Sequence, residues 1–139
     1  MQEEQVQEAR DCNDDEQLAH NIDIGRRGEE AAVRYLEARD YEIIERNWSC
    51  RFGEADIIAR DGNDLVFVEV KTRTNIEHGF PEEAVDAAKR AKYEKIAALY
   101  SRDYEVIDIP LRFDVVAILV TAPDRALLRH HVNAFGQDC

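Results

Sequence analysis

The sequence predicts an α/β domain built on a central sheet, and three observations lead there. The stretch "VFVEVKT" (66–72) alternates as a strand does, with Val66, Val68 and Val70 on one face and Phe67, Glu69 and Lys71 on the other. The stretches "IGRRGEEAAVRYLEAR" (24–39) and "EEAVDAAKRAKYEKIAALYSR" (82–102) repeat their apolar residues at threes and fours, which is the period of a helix. Along the chain the segments run α, three strands, α, then one or two strands, so helices and sheet must share one core.

Each element has its own signal. Residues 1–21 are polar, with only Val6 and Leu18 as sizeable aliphatics, too little apolar surface to offset ordering entropy; a mobile acidic tail is expected. From Asp23 to Arg39 a helix is expected, its stripe formed by Ile24, Gly28, Ala31, Ala32, Tyr35 and Leu36. Asp40 follows, where glycine would suit a left-handed helix cap better. Residues 41–50 and 52–60 have strand character, and "DGND" (61–64) is a turn signal before the strand that ends in VFVEVKT. After a polar loop, Pro81 suits the first turn of the second helical stretch, and Asp86 could cap a fresh start and divide it in two. Residues 111–120 read as a buried strand, 126–135 as a final strand or short helix, and 136–139 as a tail. One domain over 22–135 results, as a chain of 139 residues allows.

Charge narrows the function. The net charge is −12, from 30 acidic and 18 basic residues, and would repel polyanions at long range. The tail holds seven of the acids and one base (Arg10), so the remainder carries about half of the excess. Nucleic-acid contact would require a local basic patch. Three cysteines, Cys12, Cys50 and Cys139, form neither metal-site nor redox spacing. No secretory signal and no apolar run long enough to cross a bilayer is present, so a cytoplasmic protein with reduced thiols and no membrane partner is expected.

The charged half of VFVEVKT gains meaning from its neighbours. In a tight hairpin turning at Gly62-Asn63, paired residue numbers sum to about 125, which sets Asp56 opposite Glu69. Facing carboxylates repel, and a hard divalent cation between them removes the objection. Lys71, two positions on, shares the face and could stabilise developing negative charge or position and deprotonate a water. Glu54 joins by alternation, as a supporting group or a ligand. On the first helix, Glu29 lies at the edge of the apolar stripe and Glu30 points away, so Glu29 is the acid expected to reach inward. The glycines at 25 and 28 would let that helix lie close to the sheet.

The order of a helical glutamate, Asp56, twelve residues and then Glu69-x-Lys71 resembles the PD-(D/E)xK nuclease superfamily, and the helix-first arrangement resembles archaeal Holliday-junction resolvases. Closer still is a resemblance to the uncharacterised bacterial YraN family, carried by "GRRGEEAAVRYLEARDYEIIERNW", "GEADIIARDG", "LVFVEVKTR", "GFPEEAVDAAKRAK", "RFDVVAI" and "VNAF". That resemblance implies a restriction-endonuclease-like fold, a mixed central sheet flanked by helices in the order αβββαβ(β). It implies a metal-dependent endonuclease acting on DNA, on branched or damaged duplex among its substrates. Glu29, Asp56 and Glu69 would hold Mg²⁺ or Mn²⁺, with Lys71 as the catalytic lysine. Junction-resolving relatives act as symmetric dimers, so a homodimer is compatible with it.

Blander readings stand beside these. Glu69 and Lys71 could be a solvated ion pair on an edge strand. Arg26, Arg27, Arg34, Arg73, Lys89, Arg90, Lys92 and Lys95 could form a phosphate-contacting rim or simply a solvated face. Ser49 and Ala91 stand where relatives often have arginine, and with the acidic balance this favours a second function class, a non-catalytic nucleic-acid- or protein-binding module. Trp48 and Phe52 are expected in the core, with base stacking as the lesser alternative. His130 and His131 read as structural.

Overall fold

The structure, a computed structural model, describes residues 16, 20, 23–74, 87–104 and 108–134. A helix over 23–38 (α1) precedes strands β1 (Glu42–Cys50), β2 (Gly53–Asp61) and β3 (Asp64–Arg73). Helix α2 (Ala87–Asp103) and strands β4 (Leu111–Ala122) and β5 (Arg125–His131) complete the order. The amino-terminal tail lies outside the described residues except Glu16 and His20, both helical and exposed. Pro81, the proposed cap Asp86 and the carboxy-terminal tail lie outside them as well.

The five strands form one sheet in the order β1-β2-β3-β4-β5. All neighbouring pairs are antiparallel except β3 and β4, which run parallel. This mixed sheet, with a helix layer on either side, matches the restriction-endonuclease-like arrangement. The last apolar segment resolves as a strand rather than a helix, paired to β4 from Val115↔His131 to Ala122↔Arg125.

Alternation in β3 sorts the two layers as the sequence suggests. Val66 and Val68 pack with Ala32, Val33 and Leu36 of α1, and Val70 joins them at the margin. Phe67 packs with Tyr93, Ile96, Ala97 and Tyr100 of α2. Val33 belongs to the buried stripe of α1 beside the residues the periodicity selects.

α1 ends in a Schellman motif. Tyr41 N–H donates to the Leu36 carbonyl and Asp40 N–H to the Glu37 carbonyl, each at 3.0 Å, and Asp40 takes the left-handed conformation (φ 69). Tyr41 and Leu36, the two residues such a motif brings together, are both buried in the α1-side core. Gly28 lies close against β3: a Cβ there would come 2.1 Å from Thr72 Oγ1, whereas Gly25 has nothing within 4 Å. Only one of the two glycines therefore serves close approach.

Within the sheet one charge is fully enclosed. Asp114 is 1% exposed, and its carboxylate accepts from Arg112 Nε (3.0 Å), Arg112 Nη2 (3.1 Å), the Asn133 N–H (2.9 Å) and Tyr41 OH (3.2 Å), with His130 Nε2 at 2.7 Å. Arg112 also reaches Asp61 and Asp64 at the β2–β3 turn, 2.9 and 3.0 Å away. Burial works against an ionised Asp114, but the hydrogen bonds from His130, Arg112 and Asn133 outweigh it and hold the group below the usual carboxylate range. His130 is structural, as its sequence context suggests.

Candidate functional site

The β2–β3 hairpin turns at Gly62 and Asn63 and pairs Asp61↔Asp64 through Ile57↔Val68, each pair summing to 125. Pairing stops there, one step before Asp56 and Glu69. Beyond it the Val70 N–H donates to Asp56 Oδ2 at 2.8 Å. A side-chain carboxylate thus takes a backbone donor that, in a continued ladder, would face the β2 backbone.

Side-chain alternation breaks at the same place. Ile57 packs in the α1 layer, while Ala55, two residues earlier, packs in the α2 layer. In β1, Arg46 reaches Glu30 of α1 at 3.0 Å while Trp48 packs against α2, and the intervening Asn47 is left-handed (φ 54). Two strands change face together around Asn47 and Asp56. The Asp56 carboxylate therefore lies at a fork in the sheet, open to groups from both helix layers.

From the α2 side comes Glu69. Its Oε2 accepts from Lys89 Nζ at 2.8 Å and its Oε1 from the Tyr93 hydroxyl. Tyr93 is also hydrogen-bonded by the backbone of Asp56, and burial together with the charges of Glu69 and Asp56 pushes its hydroxyl far above the usual phenol range. From the α1 side comes Glu29, half-buried, lining a pocket of about 390 Å³ with Val70, Thr72 and Arg73. Lys71 is half-buried on the β3 face that carries Phe67 and Glu69.

Electrostatics ties these acids together. Burial raises the Asp56 pKa first, the Val70 hydrogen bond opposes it, and the charges of Glu69, Glu29 and Glu54 add to the rise, to about 7. Glu69 and Glu29, the other two acids expected from the sequence, are thus both electrostatic neighbours of Asp56. They do not form a closed cage: among the described residues no group of three or more His, Cys, Asp or Glu lies close enough to hold a metal ion. In donor chemistry the set fits a hard divalent cation, since it offers carboxylate oxygens and an excess of negative potential.

Glu54 adds its charge to the rise at Asp56. It lies exposed at the start of β2 and accepts from Ser49 Oγ at 3.3 Å. Glu30, expected to point to water, is engaged by Arg46. Of the cations proposed as a rim, Arg73 borders the Glu29 pocket and Lys89 sits on Glu69. Arg26 and Arg90 are exposed, and Arg27 donates to the Pro123 carbonyl at 2.7 Å. Tyr93 escaped the sequence reading, although its spacing of four from Lys89 puts both on one helix face. Cys50 is a free thiol, and among the described residues no helix is long and apolar enough to cross a membrane.

Comparison with known proteins adds a family. Residues 28–118 match the family described as "Uncharacterised protein family UPF0102", a span that includes Glu29, Asp56, Glu69 and Lys71. The chain is 49% identical over 120 residues to a UPF0102 protein of Geotalea uraniireducens, covering 86% of this chain and 94% of that one. It is 47% identical over 116 residues to one of Geobacter sulfurreducens (84% and 91%), and 42% identical over 118 residues to one of Rhodococcus jostii (85% and 100%).

Proposed function

The chain belongs to the uncharacterised protein family UPF0102, the YraN family, and from the site within the matched span we propose that it is a divalent-metal-dependent endonuclease acting on DNA. The observation that carries this reading is the position of Asp56 at the fork between β2 and β3, with Glu69 and Glu29 as charged neighbours from opposite layers. A sheet that needed only stability would not gather these acids around a partly buried carboxylate.

Asp56, Glu69 and Glu29 would hold Mg²⁺ or Mn²⁺. A cation there would lower the pKa of a water and polarise a phosphoryl oxygen. The chain's own groups do the positioning. Val70 N–H fixes one oxygen of Asp56, and Tyr93 orients Glu69 from α2. Lys71, on the Glu69 face, would stabilise charge on the phosphate or align the nucleophile. Branched or damaged duplex is the proposed substrate class.

A second reading, a non-catalytic nucleic-acid- or protein-binding module on this scaffold, is favoured by one contact: Lys89 already neutralises Glu69. The two readings separate in one experiment. Wild type, Asp56→Asn and Lys71→Ala are melted with and without Mn²⁺ and then incubated with junction, flap and linear DNA. A nuclease requires a melting temperature raised by Mn²⁺ in the wild type but not in Asp56→Asn, because a ligand of the folded state alone must stabilise it. It also requires cleavage that both variants lose. Equal cleavage by all three proteins would refute the assignment, and DNA binding without cleavage or metal response would select the module.

A further inference from the structure

Beside the acids lies a group of cations that the function above leaves unused. α2 carries five basic and two acidic residues in a chain of net charge −12. Lys89, Lys92 and Lys95 recur every third residue and span about 9 Å along the helix axis. Lys89 ends on Glu69. The other two extend over the turn that joins β1 to β2.

That turn is built to receive them. A Cβ on Gly53 would lie 3.1 Å from Lys92 Cδ, so the lysine stem rests on the backbone there. Gly53 has φ 136, a conformation closed to most side chains. Lys95 Nζ stands 5.7 Å from the centre of the Phe52 ring, and the Arg51 guanidinium 4.9 Å from the same ring. Phe52 packs against the α2-side core, so its ring is anchored, and its π-electrons draw two cations together that would otherwise repel. Among the described residues, none of Arg51, Lys92 and Lys95 is in an ion pair with an acid. Arg51 and Lys95 are exposed. Arg51 and Lys95 gathered on one ring, with the Lys92 ammonium 5.0 Å from the centre of the Tyr93 ring beside them, are arranged for an anion that arrives from outside.

We propose that Arg51, Lys92 and Lys95, held by Phe52 and Gly53, form a contact site for the phosphodiester backbone of DNA next to Asp56 and Glu69. Identifying the anion as DNA rests on the nuclease reading. A strand presents one phosphate per about 3.4 Å of duplex axis, so Lys92 and Lys95, about 4.5 Å apart along the helix axis, match neighbouring phosphates. Contacts of this kind fix position and register and read no sequence.

The test is anisotropy of a fluorescein-labelled DNA duplex titrated with the full-length protein in EDTA, repeated from about 50 to 200 mM salt. Arg51→Gln/Lys95→Gln is expected to bind about tenfold more weakly at intermediate salt, with the log–log salt slope reduced by about two. Lys92→Gln is expected to reduce the slope by about one. Arg39→Gln/Arg125→Gln removes the same charge from exposed positions near α1 that belong to neither the site nor the rim, and is expected to bind as the wild type does. Wild-type affinity and slope in both patch variants would overturn the site, as would an equal loss in the α1-side control. Displacement of the duplex by poly-L-glutamate as readily as by unlabelled DNA would also overturn it and assign the patch to an acidic protein. Patch-dependent binding in a protein that cleaves nothing in Mn²⁺ would leave this site standing and refute the nuclease reading alone.

Discussion

Asp56 concentrates the chemistry of this molecule in one side chain. With its pKa raised from 3.8 to about 7, the folded protein keeps a proton between about pH 4 and 7 that the unfolded chain has released. Stability therefore falls as pH rises through that window and levels off above it. The rise corresponds to at most about 4 kcal/mol. Asp56→Asn removes this penalty and retains an oxygen for the Val70 N–H. In metal-free urea denaturation the variant is expected to be more stable than the wild type by about 1–3 kcal/mol at pH 8. The difference should vanish towards pH 4, and a constant difference across pH would disprove the assignment. Pairing and alternation stop one step short of Asp56 and Glu69, but the turn and the register down to Ile57↔Val68 were legible in the sequence. Asp114 was not. It sits inside "RFDVVAI", which has the pattern of a core strand, and its neutralisation depends on Arg112, Tyr41, His130 and Asn133, brought together only by the finished fold.

Elements show where local preference yields to packing. Asp40 occupies the left-handed position of the α1 cap, where glycine carries no steric penalty. Asp40→Gly is expected to stabilise the protein by about 0.5–1 kcal/mol, visible as a higher midpoint in urea with an unchanged slope. Gly28→Ala should do the reverse. Alanine improves helix propensity by about 1 kcal/mol, but its methyl would collide with Thr72, for a net loss of about 1–2 kcal/mol. Thr72→Ala in the same chain should restore most of that loss, and a gain from Gly28→Ala alone would mean that α1 does not lie this close to β3. The helices and strands were legible because their periods are plain. The fork was not, because the period-two rule assumes a ladder that continues, and the left-handed Asn47 breaks that assumption without a glycine to announce it.

At the scale of the molecule, the sheet is covered on both sides, and its middle strands carry the burial. Ile57, Ile58, Ala59, Val66, Phe67, Val68, Val115, Val116 and Ala117 are all fully buried. Their amides are expected to exchange with deuterium most slowly, at the rate of global unfolding, and β1 and β5 faster. Slowest exchange at an edge strand would contradict this order.

The single parallel step between β3 and β4 divides the molecule along a seam. On one side lie α1, the three-stranded meander and every carboxylate of the site. On the other lie α2 and the β4–β5 hairpin, with the lysine and tyrosine that grip Glu69. A backbone cut between residues 74 and 87 would sever no strand pairing among the described residues, so the pieces form a natural pair of complementing fragments. The first would carry the acids without their clamp, and only reunion with the second would restore it.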